Sequence, residues 1–207
     1  MSAMERITVV IPTIPARVKG DLLRAVNSVE EQTYPRHLVD THIVTDQQGL
    51  GPARMRNVGS SYSTTDWIAF LDDDDYLLPD HLDVLMREAL EHEADVVWPW
   101  FRVEGGTDPF PQRRGKQWDP EEPHCFPITT LVRKSKFEEV GGFISVDEAI
   151  PDPNDPLRWV SGEDWRLWLS LSAAGAKFHH IDQVTWVWRH HGKNTSGLPE
   201  RVKEMYG

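Results

Sequence analysis

Four consecutive aspartates, Asp72 to Asp75, are the strongest candidates for chemistry in this sequence of 207 residues. They directly follow the apolar run Trp67–Leu71, which has the composition of a buried strand. Like charges packed this closely disfavour one another's ionisation, and a bound divalent cation removes that cost. Mg²⁺ and Mn²⁺ take carboxylate oxygens together with substrate phosphates and water. The alternative is an acidic turn that caps the next helix, but one aspartate suffices for a cap, so the run favours a metal site.

A second acidic pair, Glu163 and Asp164, stands just before the apolar-rich stretch that begins at Trp165. Two interpretations stay open from the residues alone. Ser161 and Asp164 have the spacing of a capping box, in which Asp164 only fixes the start of a helix. Alternatively, one carboxylate of the pair is a general base for an acceptor hydroxyl.

Four further polar residues are weaker candidates. Asp46 ends the β-rich run Thr41–Thr45 and would lie at the same sheet edge as the aspartates if the strands are parallel. Arg54 and Arg56 are two residues apart on a predicted helix, so they diverge, and one can reach a phosphate or a base while the other packs. His191 follows an alternating strand pattern, where a histidine can ligate a metal, although a surface histidine is the commoner case.

The elements that must position these residues alternate between strand and helix in the first half of the chain. Apolar β-rich runs alternate with stretches whose apolar residues recur at helical spacing. This alternation predicts a mostly parallel sheet covered by helices, with the carboxyl ends of its strands on one ligand-binding edge. The predicted strands are 7–11, 41–45, 67–71 and 94–100, and the predicted helices are 21–32, 53–62 and one that follows Pro79.

The second half of the chain has a less regular pattern. Glycines, prolines and charges predict a long mobile loop over 102–123, and a second irregular acidic loop covers 147–155. Most of the eight tryptophans from Trp98 onward are expected in the core, with one or two lining an acceptor cleft. The predicted elements here are strands 124–132, 177–181 and 184–189, a short helix that ends at Gly141–Gly142, and a helix from 163 to about 174.

Composition excludes several classes of protein. With 39% hydrophobic and 27% charged residues the chain is globular, and its net charge of −11 argues against a nucleic-acid partner. The sequence has no apolar run of about 18 residues and no signal peptide, so we expect no integral membrane segment and a cytoplasmic location. The single cysteine, Cys125, excludes intramolecular disulfides. Homo-oligomerisation stays open.

In this order and spacing, the segments resemble the family 2 glycosyltransferases of the GT-A fold. The resemblance implies an α/β, Rossmann-like, mostly parallel central sheet flanked by helices, with a small C-terminal acceptor-side subregion. It implies one domain over 1–207, with a nucleotide-sugar-binding half over 1–100 and an acceptor-binding half over 101–207. The matching stretches are 7–13, 23–35, 53–59, 67–75, 132–134, 139–143, 162–167 and 189–191 with Ser196.

The resemblance also implies an activity, cofactor and site. The activity is a metal-dependent, inverting transfer of a sugar from a nucleotide-sugar donor, usually a UDP-sugar, to an acceptor hydroxyl on a glycan, lipid, protein or small molecule. The cofactor is Mn²⁺ or Mg²⁺, and a single transfer is expected rather than polymerisation. The implied residues are Asp164 as catalytic base; Thr13, Arg17, Asp46, Arg56, Asp72 and Asp73 at the donor; Asp74 and His191 at the metal; and Glu163 and Trp165 on the acceptor side.

Two rival functions are kept. A nucleotidyltransferase acting on a sugar phosphate also uses carboxylates on a sheet edge, but it usually has a glycine-rich basic loop after the first strand, where this chain has Pro12–Arg17. A non-catalytic carbohydrate-binding domain would explain the nine tryptophans but not the clustered aspartates.

Overall fold

The computed structural model describes residues 5–120, 127–144 and 163–191. Strands and helices alternate through the first ninety residues, as the apolar periodicity predicts. Short 3₁₀ turns cover Arg36–Leu38 and Pro111–Arg113. The strands are β1 (Ile7–Thr13), β2 (Val39–Thr45), β3 (Trp67–Phe70), β4 (Tyr76–Leu77), β5 (Val96–Glu104), β6 (Leu131–Arg133) and β7 (Phe178–Arg189), and the helices are α1 (Asp21–Glu30), α2 (Pro52–Ser61), α3 (His81–Glu91), α4 (Lys134–Glu139) and α5 (Glu163–Ala173).

The strands form one mixed sheet in the order β2-β1-β3-β6-β5-β7-β4. β1 pairs in parallel with β2 and β3, and β5 pairs in parallel with β7. The short β6 lies antiparallel between β3 and β5, so β5 runs in the same direction as β3. β4 is antiparallel to β7. The α/β fold class with a mostly parallel sheet is therefore confirmed, and the carboxyl ends of the five longer strands share one edge.

Both faces of the sheet are covered, because successive residues of its inner strands point to opposite sides. In β1, Ile7, Val9 and Ile11 belong to one hydrophobic cluster, whereas Val10 belongs to the other. The first cluster packs under α1 and α3, and the second packs under α2, α4 and α5. The result is a three-layer arrangement in which α2 and α5 lie on the same face, next to the edge where the strands end.

The segment after β5 is a loop, as predicted over 102–123, but in the described residues it begins later than predicted. Arg102–Glu104 extend β5 instead of opening a loop. In the part of the segment that the structure describes, Phe110 is buried, and the indole N–H of Trp118 donates to Ser172 Oγ on α5 at 2.9 Å. Two aromatic side chains thus connect this loop to the core and to α5.

The end of the described chain also departs from the prediction of two separate strands at 177–181 and 184–189. The structure has one strand, β7, which is interrupted by an irregularity in register where Pro99 pairs with Ile181 and Trp100 pairs with Val184. Of the strand predicted over 124–132, only the residues from 131 onward are in β6, and 124–126 lie outside the described residues.

Most tryptophans lie in the core, as predicted. Five of those from Trp98 onward are at most 5% exposed, whereas Trp159, like the acidic loop 147–155, lies outside the described residues. None of the described helices is long and apolar enough to cross a bilayer. These five tryptophans are Trp98, Trp100, Trp165, Trp168 and Trp186, and Trp67 in β3 is buried as well.

Candidate active site

The four aspartates leave the carboxyl end of β3 in a tight turn, in which the Asp75 N–H donates to the Asp72 carbonyl at 3.2 Å. Asp72 is partly exposed, whereas Asp73, Asp74 and Asp75 are at most 9% exposed. Carboxylates are rarely buried without partners, because removing a charge from water is costly. The hydrogen-bond partners of each buried carboxylate therefore indicate its role in the site.

Asp73 connects the aspartate run to the loop that follows β1. Its Oδ2 accepts a hydrogen bond of 2.6 Å from the Thr13 hydroxyl, and its Oδ1 accepts one of 2.7 Å from Arg17 Nη1. Both oxygens are therefore engaged by residues predicted to line the donor pocket. Asp73 holds that loop in place.

Asp74 contacts two other residues of the predicted site, Arg17 on the donor side and His191 at the metal. Its Oδ2 accepts from Arg17 Nη1 at 3.0 Å and lies 3.0 Å from His191 Nε2. Burial, and next the charge of Asp72, raise the pKa of Asp74 above its ordinary value. The predicted proximity of Asp74 and His191 is thus present in the structure.

Asp75 is a site residue that the sequence analysis did not assign. Its Oδ1 accepts the Arg189 backbone N–H at 2.9 Å, and one carboxylate oxygen each of Asp72, Asp74 and Asp75 lie within 4.8 Å of one another. Burial, and next the charge of Asp72, raise the pKa of Asp75 well above its ordinary value. Its place as the fourth member of the run was the available signal.

This donor set fits a divalent cation such as Mg²⁺ or Mn²⁺. Both ions prefer carboxylate oxygens, and the raised pKa values of Asp74 and Asp75 record the electrostatic cost that a cation would remove. His191 stands beside Asp74 as an additional nitrogen donor.

Arg56 on α2 links the aspartate run to the start of α5. It is 4% exposed; its Nη2 donates to Asp72 Oδ1 at 2.5 Å, and its Nη1 donates to Glu163 Oε1 at 2.8 Å. The guanidinium also lies over the Phe143 ring, 5.4 Å from its centroid. Arg56 therefore contacts acids from two segments that are far apart along the chain, while its exposed neighbour Arg54 points elsewhere.

Asp164 lies in the first turn of α5, beside Glu163. Its Oδ1 accepts the backbone N–H of Trp165 at 2.9 Å, and protein atoms crowd the carboxyl group, although part of the side chain remains accessible. This desolvation, followed by the charge of Glu163, raises the pKa of Asp164 to about 6. The charge of Asp72 makes a smaller contribution to this raised pKa, which places Asp164 within electrostatic reach of the aspartate run. Ser161, the possible capping-box partner, lies outside the described residues.

Asp46 lies at the same sheet edge, where its backbone N–H donates to the Thr13 carbonyl at 2.7 Å. Its carboxylate accepts backbone N–H groups of Gln48, Leu50 and Gly51 at 2.8–3.1 Å. The bond from Leu50, and next the bond from Gly51, lower the pKa of Asp46 below its ordinary value. Asp46 thus stays ionised while it shapes the loop that leads into α2.

Trp165, predicted on the acceptor side, is 5% exposed, and its ring centroid lies 5.3 Å from that of Trp118. Its indole is part of the core cluster beneath α5. The adjacent Glu163 side chain is 21% exposed. Of this pair, only Glu163 presents an accessible polar group.

A family model described as "Glycosyl transferase family 2" matches residues 36–141, about half of the chain. The protein is a family 2 glycosyltransferase. The matched region includes the aspartate run, Asp46 and Arg56. The comparison of this glycosyltransferase with curated proteins found no match.

Solved structures of S. aureus TarS share the fold of this glycosyltransferase. TarS superposes with a TM-score of 0.70 at 17% identity over 89% of this chain and 37% of the TarS chain. TarS 1–349 in complex with UDP-GlcNAc gives 0.71 at 15% identity over 98% of this chain and 62% of that one. The complex of TarS 1–349 with UDP gives 0.69 at 16% identity over 97% and 63%. The chain thus spans between about a third and two thirds of the TarS chains.

Proposed function

We propose that this protein transfers a sugar from a UDP-sugar to an acceptor hydroxyl in a metal-dependent reaction that inverts the anomeric configuration. The observation that carries the proposal is that one buried arginine, Arg56, contacts both Asp72 of the aspartate run and Glu163, the neighbour of Asp164, so that acids from both segments meet at one place. Family membership supports glycosyl transfer, and the TarS complexes with UDP-GlcNAc and UDP support a uridine-nucleotide donor.

The donor side of the proposed site is the edge formed by the loop after β1 and the aspartate run. Asp72, Asp74 and Asp75, with His191 beside them, would hold the cation. When bound, the cation would act as a Lewis acid that offsets the charge developing on the departing diphosphate. Arg17, which contacts Asp73 and Asp74 through the same nitrogen, offers a further positive charge for the donor diphosphate.

Two residues on this edge would shape the nucleotide pocket. Thr13 is fixed by its hydrogen bond to Asp73, and Asp46 is fixed by the three N–H groups of its own loop. Side chains that are already held in place before the donor binds lower the conformational entropy lost on binding. We assign both to the donor side, with Asp46 toward the base.

Asp164 is the proposed catalytic base. Its carboxylate accepts the proton of the acceptor hydroxyl while the oxygen attacks the anomeric carbon on the face opposite the diphosphate. The bond from the anomeric carbon to the diphosphate oxygen breaks as the new glycosidic bond forms, so the configuration inverts. A pKa of about 6 leaves Asp164 ionised at neutral pH and more basic than an ordinary aspartate.

Arg56 and Glu163 would support this base rather than react. Because Arg56 is buried with both terminal nitrogens engaged, we assign it to positioning Asp72 and α5 instead of direct donor contact. The accessible Glu163 carboxylate would face the acceptor. The buried Trp165 holds α5 on the core.

The test measures binding and transfer separately. UDP-GlcNAc is titrated into the wild-type chain and its variants with Mn²⁺ or with EDTA, and UDP release is followed with acceptor mixtures. Asp74→Asn should lose metal-dependent donor binding, whereas Asp164→Asn should bind the donor normally and release no UDP. Asp66→Asn, at an exposed aspartate next to the amino-terminal end of β3 and so at the end away from the aspartate run, is the matched control and should behave as wild type.

Two results would contradict the proposal. Normal transfer by Asp164→Asn would remove the base assignment. Release of pyrophosphate from a nucleoside triphosphate and a sugar phosphate, without UDP release from a sugar nucleotide, would identify a nucleotidyltransferase instead.

A further inference from the structure

Two histidines and a glutamate meet where α3 ends and β7 begins, at the end of the sheet opposite the aspartate run. Glu88 and His92 are four residues apart on α3 and its C-cap, so they lie on one helix face. His179 is the second residue of β7. Neither the family assignment nor the proposed transfer reaction uses these three side chains.

Their ligating atoms converge on one point. Glu88 Oε2 lies 3.2 Å from His179 Nε2 and 3.4 Å from His92 Nε2. The two imidazole rings stack, with centroids 3.9 Å apart and planes inclined by 19°. One ligand atom from each of the three residues lies within 4.8 Å of the other two.

The surroundings leave this point accessible on one side. Arg87 Nη2 contacts the other carboxylate oxygen, Oε1, at 3.3 Å, so Oε2 is directed to the imidazoles. The Glu88 and His179 side chains are each 19% exposed, whereas that of His92 is 46% exposed. The His92 ring therefore has room to rotate so that its Nε2 faces a bound ion, and water can reach the coordination positions that the three side chains leave open.

We propose that Glu88, His92 and His179 bind a divalent transition-metal ion of the Zn²⁺, Ni²⁺ or Cu²⁺ type. Two imidazole nitrogens and one carboxylate oxygen, with water completing the shell, form a donor set that these ions favour. The cluster at Asp72, Asp74 and Asp75 presents three carboxylate oxygens with only His191 as a nitrogen donor, a set richer in oxygen that suits Mg²⁺ and Mn²⁺ better. The two sites would therefore select different metals.

The position of the new site indicates a structural clamp rather than a catalytic centre. His179 and Arg189 are ten positions apart on β7, which is about 30 Å along the strand. At the same junction, Lys177 and Glu93 form an exposed ion pair at 3.1 Å between β7 and the turn after α3. Such a pair stabilises little, so a metal held by both elements would be the stronger link.

The test uses the full chain without a polyhistidine tag, freed of metal by a chelator. Zn²⁺ and Ni²⁺ binding is measured by calorimetry and by the shift in melting temperature. The wild-type chain should bind one ion at this site, and its melting temperature should rise by about 5–10 °C at a hundredfold excess over Kd. His92→Gln and His179→Gln should each weaken that binding at least about tenfold. His37→Gln, an exposed histidine outside the cluster, should not.

The Asp74→Asn variant separates this site from the active site. It should keep the Zn²⁺- and Ni²⁺-induced shift, while His92→Gln should keep Mn²⁺-dependent UDP binding. Binding of Zn²⁺ and Ni²⁺ that is unchanged by His92→Gln and His179→Gln would overturn the proposal, as would the absence of binding to wild type. A loss of the shift in Asp74→Asn alone would place the ion at the aspartate run and would also overturn it.

Discussion

Replacing Arg56 by glutamine tests how the site is held together. Arg56 is 4% exposed and forms ion pairs of 2.5 Å with Asp72 and 2.8 Å with Glu163. Removing one partner of a buried ion pair costs about 3–5 kcal/mol, because the remaining charge is left uncompensated. Here the two carboxylates are 34% and 21% exposed and can recruit water. We therefore expect a loss of about 3 kcal/mol, toward the lower end of that range.

The same helix supplies the control for this substitution. Arg54→Gln makes the identical chemical change at an exposed position two residues away and should cost less than about 1 kcal/mol. Urea unfolding of both variants at pH 7.5 gives the free energies directly. In a thermal scan, the loss expected for Arg56→Gln corresponds to roughly 6–12 °C in a chain of this length.

Arg56→Gln also has an expected kinetic effect. The positive charge of Arg56 lowers the pKa of Asp164, which burial and Glu163 raise to about 6. Without that charge, the pKa of Asp164 should rise, and the acidic limb of the kcat/KM profile should move to higher pH. If Arg56→Gln were as stable as Arg54→Gln and left the limb in place, the positioning role of Arg56 would be refuted.

Three other expectations follow from the described contacts. The kcat/KM of the wild type should rise with pH to about 6 and then level off, because Asp164 accepts a proton only when ionised; a flat profile through that range would exclude it as the base. Gly142→Ala should lower the free energy of unfolding by about 1–3 kcal/mol, because φ at this position is +75° and the added Cβ would lie 2.6 Å from Asn57 Oδ1. Gly141→Ala should lower it less, because φ is similar at +79° but no atom lies within 4 Å of the added Cβ. Burial lowers the pKa of His81 to about 3, so as the pH drops below 6.5 the unfolded chain binds a proton at His81 that the folded chain does not bind, and the free energy of unfolding falls. His81→Gln should make the free energy of unfolding less dependent on pH in this range, and an equal pH dependence in the variant and the wild type would contradict this.

The first half of the fold was predictable from local patterns. Trp67–Leu71, and Ile7–Ile11 apart from Thr8, are apolar runs because the strands they form are covered on both faces. The helix predicted at 53–62 corresponds to Pro52–Ser61, which begins with a proline in its first turn. Local periodicity and breakers suffice for elements of this kind.

The order of the sheet was not predictable in the same way. The three-residue strand β6 inserts between β3 and β5, and nothing in its own sequence specifies antiparallel neighbours. The irregular register beside Pro99 allows one long strand, β7, where a break was predicted. The burial of Phe110 and the hydrogen bond from Trp118 to Ser172 are tertiary contacts that the composition of their segment does not indicate.

The residues of the candidate site also fall into two groups, those that the local sequence indicates and those that only the tertiary structure shows. For Asp164 the residues alone leave a helix cap and a general base both open, whereas the aspartate run stands out because four like charges directly follow a predicted strand. The partners of Arg56 do not, because Glu163 is 107 positions away and either arginine of α2 could have turned inward. The role of Asp75 in the candidate metal site is visible only in the structure, where the turn after β3 brings its carboxylate toward those of Asp72 and Asp74.

The most direct measurement of the central claim is an anomalous-difference map from crystals of this chain grown with UDP and Mn²⁺. The account predicts a manganese peak within coordination distance of the Asp74 carboxylate, bridging to the UDP diphosphate, with Asp164 facing the same cleft. A manganese peak away from the Asp72–Asp75 turn, or UDP bound at another edge of the sheet, would contradict it.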